Sequence, residues 1–184
     1  MSVIQIYTHT NIQTYKQLQI HTSQMHKTMA DLLPLPELPV GYVLDALHEN
    51  DYDAGSLSVL AQLTTVGDVS REDFNKFVSL QSDGETYNTV VIRREETGQV
   101  VGIATLLIEA KLIHGFSKVG HIEDVAVDSS VRGLNLGRYI IRTLCNMAVA
   151  KGCYKVILDC DLENVPFYEK CGLTEAGIEM QYRP

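Results

Sequence analysis

Nothing in the 184 residues approaches the length of apolar run that a membrane span requires, so stable insertion in a bilayer is not expected. The opening MSVIQIYTHT has no charged segment leading into an apolar core, which argues against a secretory signal. The closing QYRP is neither a prenylation box nor a simple peroxisomal tripeptide. No two of the four cysteines (Cys145, Cys153, Cys160, Cys171) are spaced as CxxC, so no metal site is expected and reduced thiols are the default. There is no basic run either. Lys and Arg number 15 against 23 Asp and Glu, a net charge of −8, which speaks against a nucleic-acid partner. An anionic ligand must then be held by local positive groups. These absences together read as a cytoplasmic protein.

What is present fits one globular domain with an N-terminal extension. Residues 1–40 are rich in Gln, Thr and His and end in a segment with Pro34, Pro36 and Pro39 that cannot continue a helix. Ile12, Tyr15 and Leu18, with Met25 and Met29, have the spacing of a weak amphipathic helix, and the segment suits an arm on a partner subunit or a tail equally. From residue 41 to 184 the pattern is denser. Tyr42 to Leu47 suits a strand and His48 to Asp53 a turn. Leu57, Leu60, Ala61 and Leu63 carry helical spacing, and Ser70 to Asp73 is a capping-box-like start to a second helix with Phe74, Phe77 and Val78 on its apolar face. Tyr87 to Arg93 and Gln99 to Glu109 form a hairpin around Glu95 to Gly98.

The strand His121 to Val127 leads into a polar Gly/Asn turn and then a helix from about Leu136 to Ala150, stopped by Lys151 and Gly152. Leu136, Ile140, Leu144, Met147 and Ala148 make its packed face, while Arg138, Arg142 and Asn146 point away. Tyr154 to Leu158 is a short strand, Asp161 to Lys170 a short helical stretch with Pro166 in its first turn, and Leu173 to Arg183 a final strand. The order β-α-α-β-β-β-α-β-α-β predicts an α+β (mixed α/β) domain around one sheet.

Between the strand before the turn and the helix after it stand Arg132, Gly133, Leu134, Asn135, Leu136 and Gly137, followed by Arg138. Consecutive backbone N–H groups at a helix N-terminus can hold a phosphate or pyrophosphate. The layout and this loop resemble the GNAT superfamily of acetyl-CoA-dependent N-acetyltransferases. Its loop signature is Gln or Arg, two residues, Gly, one residue, then Gly or Ala. Arg132 and Gly137 match the ends, and Asn135 replaces the first Gly. Asn is the non-Gly residue that best tolerates left-handed backbone angles, so the turn is expected to survive. Further stretches are similar to one family within the superfamily, glucosamine 6-phosphate N-acetyltransferase: Leu63 to Gly67, Lys111 to His114, Gly120 to Asp124, Gly152 to Asp159 continuing to Asn164, Phe167 to Gly172, and Met180 to Arg183. The resemblance covers roughly residues 41 to 184 and is dense from Glu109 onward.

The resemblance implies a GNAT acyltransferase fold, one central mixed sheet flanked by helices, and transfer of the acetyl group of acetyl-CoA to the amine of glucosamine 6-phosphate, toward UDP-N-acetylglucosamine. It also implies a homodimer with shared active sites and the C-terminal strand at the interface. Two alternatives are a GNAT enzyme for another small amine, such as a polyamine or a protein N-terminus, and a non-catalytic acetyl-CoA-binding module.

Direct transfer needs a neutral amine, an oriented thioester and a donor for the leaving thiolate. Tyr168 is the candidate donor, or else a packing residue beside Phe167. Glu123 and Asp124 lie on opposite faces of a strand, one to take the ammonium proton and the other to bind sugar hydroxyls; the alternative is a solvated pair on an edge strand. A bulge would let both reach one site. Which is the base stays open. The resemblance carries Thr64, Lys111, His114 and Arg183 over as substrate contacts, where an Arg fork suits a phosphate; without it, Lys111 and Arg183 read as ordinary solvated surface charges. It carries Asp159 over to the same pocket, against a helix-capping role. For acetyl-CoA, the backbone of Val125, Ala126 and Val127 can act as an added strand would. Arg132 to Arg138 hold the pyrophosphate, and Asn164 and Tyr168 reach the pantetheine and sulfur. Cys171 has no His partner and reads as a buried thiol.

Overall fold

The computed structural model describes residues 32–183. Five strands form one sheet in the order β1-β2-β3-β4-β5. They are β1 (Tyr42–Ala46), β2 (Tyr87–Arg94), β3 (Val100–Ala110), β4 (Lys118–Val127) and β5 (Cys153–Ile157). The first four pair antiparallel, and β5 joins β4 in parallel. A parallel neighbour needs a crossover, and the helix between β4 and β5 supplies it. After β1 come a 3-10 turn at Glu49–Tyr52, α1 (Ser56–Leu60) and α2 (Arg71–Ser79); α3 (Leu136–Ala150) is the crossover; α4 (Val165–Cys171) follows a 3-10 turn at Leu162–Asn164.

Strand alternation sorts the core into two layers. Val90 and Ile92 face α3, joined by Ala104, Leu106 and Ile122, and meet Leu136, Ile140, Ile141, Leu144 and Ala148. Val91, between them on β2, faces the other way with Val100, Ile103 and Ala126, under Val59 of α1 and Phe74 of α2. Covered on both faces, β2 reads in sequence as a continuous apolar run rather than an alternating one. Each fully buried Leu or Ile on α3 contributes about 1.5–3 kcal/mol, which is why the helix holds the bounds its periodicity predicted. Ser70 caps α2, accepting from Asp73 N at 3.1 Å. The Asp73 carboxylate returns to the Ser70 hydroxyl rather than to its backbone N–H.

Two features depart from the sequence reading. Leu173–Arg183, expected as a final strand, pairs with nothing in the sheet, whose order ends at β5. Ile178 and Met180 are each 90% exposed and Tyr182 88%. A strand needs a neighbour for its N–H and C=O groups, and one copy of the chain brings no sheet edge to this segment. The helical spacing from Ile12 to Met29 falls outside the described residues. Residues immediately after it run along the outer face of α3. Leu33 exchanges two hydrogen bonds with the Asn146 amide, at 2.8 and 2.9 Å. Arg142 donates to Pro34 O and, on α4, to Lys170 O and Cys171 O. Arg142 and Asn146 do point away from the core, onto this strap.

Candidate active site

The site begins where the sheet splits. β4 and β5 pair from Lys118↔Cys153 to His121↔Ile157, and β4 then continues alone to Val127. Its β5-facing edge over Glu123–Val127, which includes Val125 and Ala126, therefore carries backbone groups with no strand partner among the described residues. A bulge lies at the split: Thr105 pairs with Glu123 and Ile103 with Ala126, leaving Asp124 and Val125 opposite Ala104. Asp124 sits at φ +53°, in the left-handed region. The bulge places two carboxylates within one turn of backbone at the cleft mouth. Asp159, just beyond β5, adds a third, and the N-cap position of the 3-10 turn after it is Asp161, whose side chain makes no capping bond. Burial, first, and then the charges of Asp124 and Asp159 push the Glu123 carboxyl above the usual carboxylate range, with His121 opposing.

Beyond β4, Asp128 accepts from Ser130 N at 2.8 Å and starts a 3-10 turn over Ser129–Val131. Arg132, Gly133 and Leu134 form an exposed loop, with Gly133 at φ +85°. Asn135, at φ +59°, takes the left-handed angle expected of it and precedes Leu136 as the helix cap. The Asn135 side chain makes no capping bond to the first turn of α3. The N–H groups of Leu136, Gly137 and Arg138 thus point outward from the positive end of the helix dipole. Arg138 Nε is buried without a partner among the described residues. These donors fit an anion such as a diphosphate. Gly137 is small for a reason, since a Cβ there would stand 3.1 Å from Phe167 Cζ. The Arg132–Arg138 loop and α4 meet at that pair.

Asn164 caps α4 and its side chain makes no capping bond; Pro166 occupies the first turn, and Gly172 at φ +106° ends the helix. Tyr168 is half-buried beside α3, edge-on to Phe167 at 5.0 Å between centroids. Burial pushes its phenol up to about 12, so it is a hydrogen-bond donor throughout the physiological range. Cys171 is fully buried, with its thiol pushed up by burial.

The basic residues lie at the other end of β4. Lys111 pairs with Glu109, whose second oxygen meets His121 Nε2 at 2.9 Å. His114, at φ +54°, rests against the Tyr154 ring at 4.4 Å. Glu109 pairs opposite Val119, His121 opposite Leu107, and Glu123 opposite Thr105, so Glu109, His121 and Glu123 share one sheet face. Thr64 is exposed in the loop after α1. Arg183, expected among these residues, lies in the unpaired C-terminal segment and, among the described residues, donates to Gln181. One copy of the chain does not bring it to Lys111 and His114. The sequence reading passed over Glu109 and His121, which alternation along β3 and β4 marks. It also passed over Gln62, which joins the Thr64 loop to Asp128 Oδ2 at 2.8 Å and Ser129 N at 2.9 Å; nothing in the local pattern distinguishes that Gln.

Comparison with known proteins bears on this arrangement. Residues 57–173 match the model of the acetyltransferase (GNAT) family. The chain is 44% identical to a glucosamine 6-phosphate N-acetyltransferase of Candida albicans over 79% of its own length and 98% of that protein's. It is 41% identical to the Arabidopsis thaliana enzyme of the same name over 73% and 91%. The crystal structure of an Arabidopsis glucosamine-6-phosphate N-acetyltransferase superposes with a TM-score of 0.74 at 38% identity, covering 77% of this chain and 97% of that one. An acetyltransferase from Trypanosoma brucei gives 0.72 at 37% identity over 78% and 99%. The split sheet, the uncapped α3 and the shared motifs therefore have one family behind them: this chain belongs to the GNAT acetyltransferases and, among them, to the glucosamine 6-phosphate N-acetyltransferases.

Proposed function

We propose that this chain transfers the acetyl group of acetyl-CoA to the amine of D-glucosamine 6-phosphate, in a ternary complex and without a covalent acyl-enzyme, on the route to UDP-N-acetylglucosamine. The observation that carries the reading is the trio Glu123, Asp124 and Asp159 at the sheet split, with α4 and Tyr168 beyond the cofactor loop. Acetyl-CoA supplies the thioester; Arg132 to Arg138 and the first turn of α3 hold its diphosphate, and the free edge of Val125–Val127 and Asn164 take its arm. Glu123 is the group whose raised affinity for protons suits it to receive the ammonium proton, while Asp124 and Asp159 keep it raised and bind sugar hydroxyls. Tyr168 donates to the leaving sulfur.

The acidic trio would draw a polyamine as well. Lys111 and His114, both in the connection between β3 and β4, favour a phosphorylated amine. Arg183 completes that end from a second copy, in a homodimer whose exposed Ile178, Met180 and Tyr182 supply the contact. The test is to incubate the protein with acetyl-CoA and glucosamine, glucosamine 6-phosphate or spermidine, and to measure free CoA. Release with the phosphorylated sugar alone is expected. Equal release with spermidine would overturn the substrate assignment, and a monomer by light scattering at micromolar concentration would remove the shared site.

A further inference from the structure

We propose that the cavity beneath β1 and β2 is a second ligand site, apart from the acetyl-transfer cleft, and that it takes a small amphiphilic carboxylate: an alkyl or aryl tail bearing one carboxylate. The cavity measures about 360 Å³, within the size range of small-molecule sites. Leu44, Leu47 and Val90 of the β1–β2 region, Val78 of α2, and Tyr139 and Met147 of α3 make its apolar walls. The cleft opens between β4 and β5, three strand spacings or about 14 Å across the sheet. The inference does not depend on the acetyl-transfer reading.

The polar lining points to the ligand's head group. Gln81 Oε1 accepts from Thr89 N at 2.7 Å, which orients the amide and leaves Nε2 as the unused donor. That nitrogen and Asn88 Nδ2 are both buried with no partner among the described residues. Four side-chain atoms are in that condition, and these two belong to residues that line one cavity. Buried donors without acceptors are disfavoured, and a turn of each amide toward the cavity would bring both to a pair of acceptor oxygens. A cation stands behind them: half-buried Lys151 donates to the carbonyl of Gly84, another lining residue. Of the two acids that act on Lys151, Glu85 is engaged by Lys118 at 3.4 Å and exposed Asp83 accepts from Glu85 N at 2.8 Å. Of the lining residues, Asp45 is the acid, and it is paired with Arg93 at 3.1 Å and with His48 at 3.5 Å. The amide corner is thus the part of the cavity that favours an anion.

Isothermal titration of the full chain with sodium octanoate tests this, with octan-1-ol and octylamine as controls of equal length. One saturable site for octanoate is expected, at least ten-fold tighter than for either control and unchanged by saturating CoA. Replacing both donors (Gln81→Leu with Asn88→Leu) should weaken octanoate at least ten-fold and leave acetyl transfer within two-fold. Asn88→Asp, nearly isosteric, should reverse the preference toward octylamine, and it decides the matter if the double variant does not fold. The absence of saturable octanoate binding, displacement by CoA, or unchanged affinity in both variants would overturn the proposal.

Discussion

Removing one oxygen at Tyr168 separates two kinds of help for the leaving thiolate. The phenol, at about 12, faces an alkyl thiol of about 8.5, so complete proton transfer would run uphill by roughly 5 kcal/mol at 1.36 kcal/mol per unit. A hydrogen bond to the developing thiolate needs no such transfer, and a bond to a charged group is worth about 1.5–3 kcal/mol. Tyr168→Phe should therefore lower kcat by about 10- to 150-fold. The ring still packs against Phe167 and α3, so the KM for acetyl-CoA should change by less than about three-fold. Steady-state thiol release against each substrate in turn gives both numbers. A fall in kcat below three-fold would remove Tyr168 from the reaction. A fall beyond about 10⁴-fold in a folded variant would refute the hydrogen-bond account in favour of full proton transfer.

The raised Glu123 predicts an acidic limb in kcat/KM for the amine, lying above the ordinary carboxylate range, because the base is lost as pH falls through its raised value. Asp159→Asn removes one of the like charges that raise it, so the limb should move to lower pH; a pH–rate profile unmoved or shifted upward would contradict this. Asn135→Gly should leave stability unchanged, whereas Asn135→Ala, forced to φ +59°, should cost about 1–2 kcal/mol in urea unfolding; equal stabilities would mean the loop relaxes. Gly137→Ala places a methyl 3.1 Å from Phe167. Overpacking of about 1–3 kcal/mol outweighs a helix-propensity gain of about 1 kcal/mol, so Tm should drop by a few degrees, and a rise would show that Phe167 yields freely.

How much of this was legible in the sequence depended on whether the cause was local. The helix α3 was readable to its ends because a Gly/Asn turn, a 3.6-residue apolar stripe and Lys151-Gly152 all act within its own span. The same holds for the Ser70 cap and for the left-handed Asn135. The bulge at Asp124 was readable only as a requirement, since two acidic residues on opposite faces cannot otherwise reach one site. Leu173–Arg183 has the alternation of a strand, but pairing is decided by which edge a segment reaches, and within one copy this segment pairs with none. Alternation along β3 and β4 puts Glu109 and His121 on one face but leaves their pairing to the register between the strands, and nothing local marks the Gln62 bridge.

Arg142 has a practical consequence for anyone cutting or extending this chain. By composition, a truncation at residue 40 looks harmless. It would take away one of the guanidinium's three carbonyl acceptors and both of the Asn146 amide's partners at Leu33. The two acceptors left to Arg142 are the closing carbonyls of α4, four residues or fewer from Tyr168. A fusion or affinity tag is therefore better joined ahead of Leu32, and a shortened protein with sluggish turnover should first be suspected of a loosened helix rather than a damaged cleft.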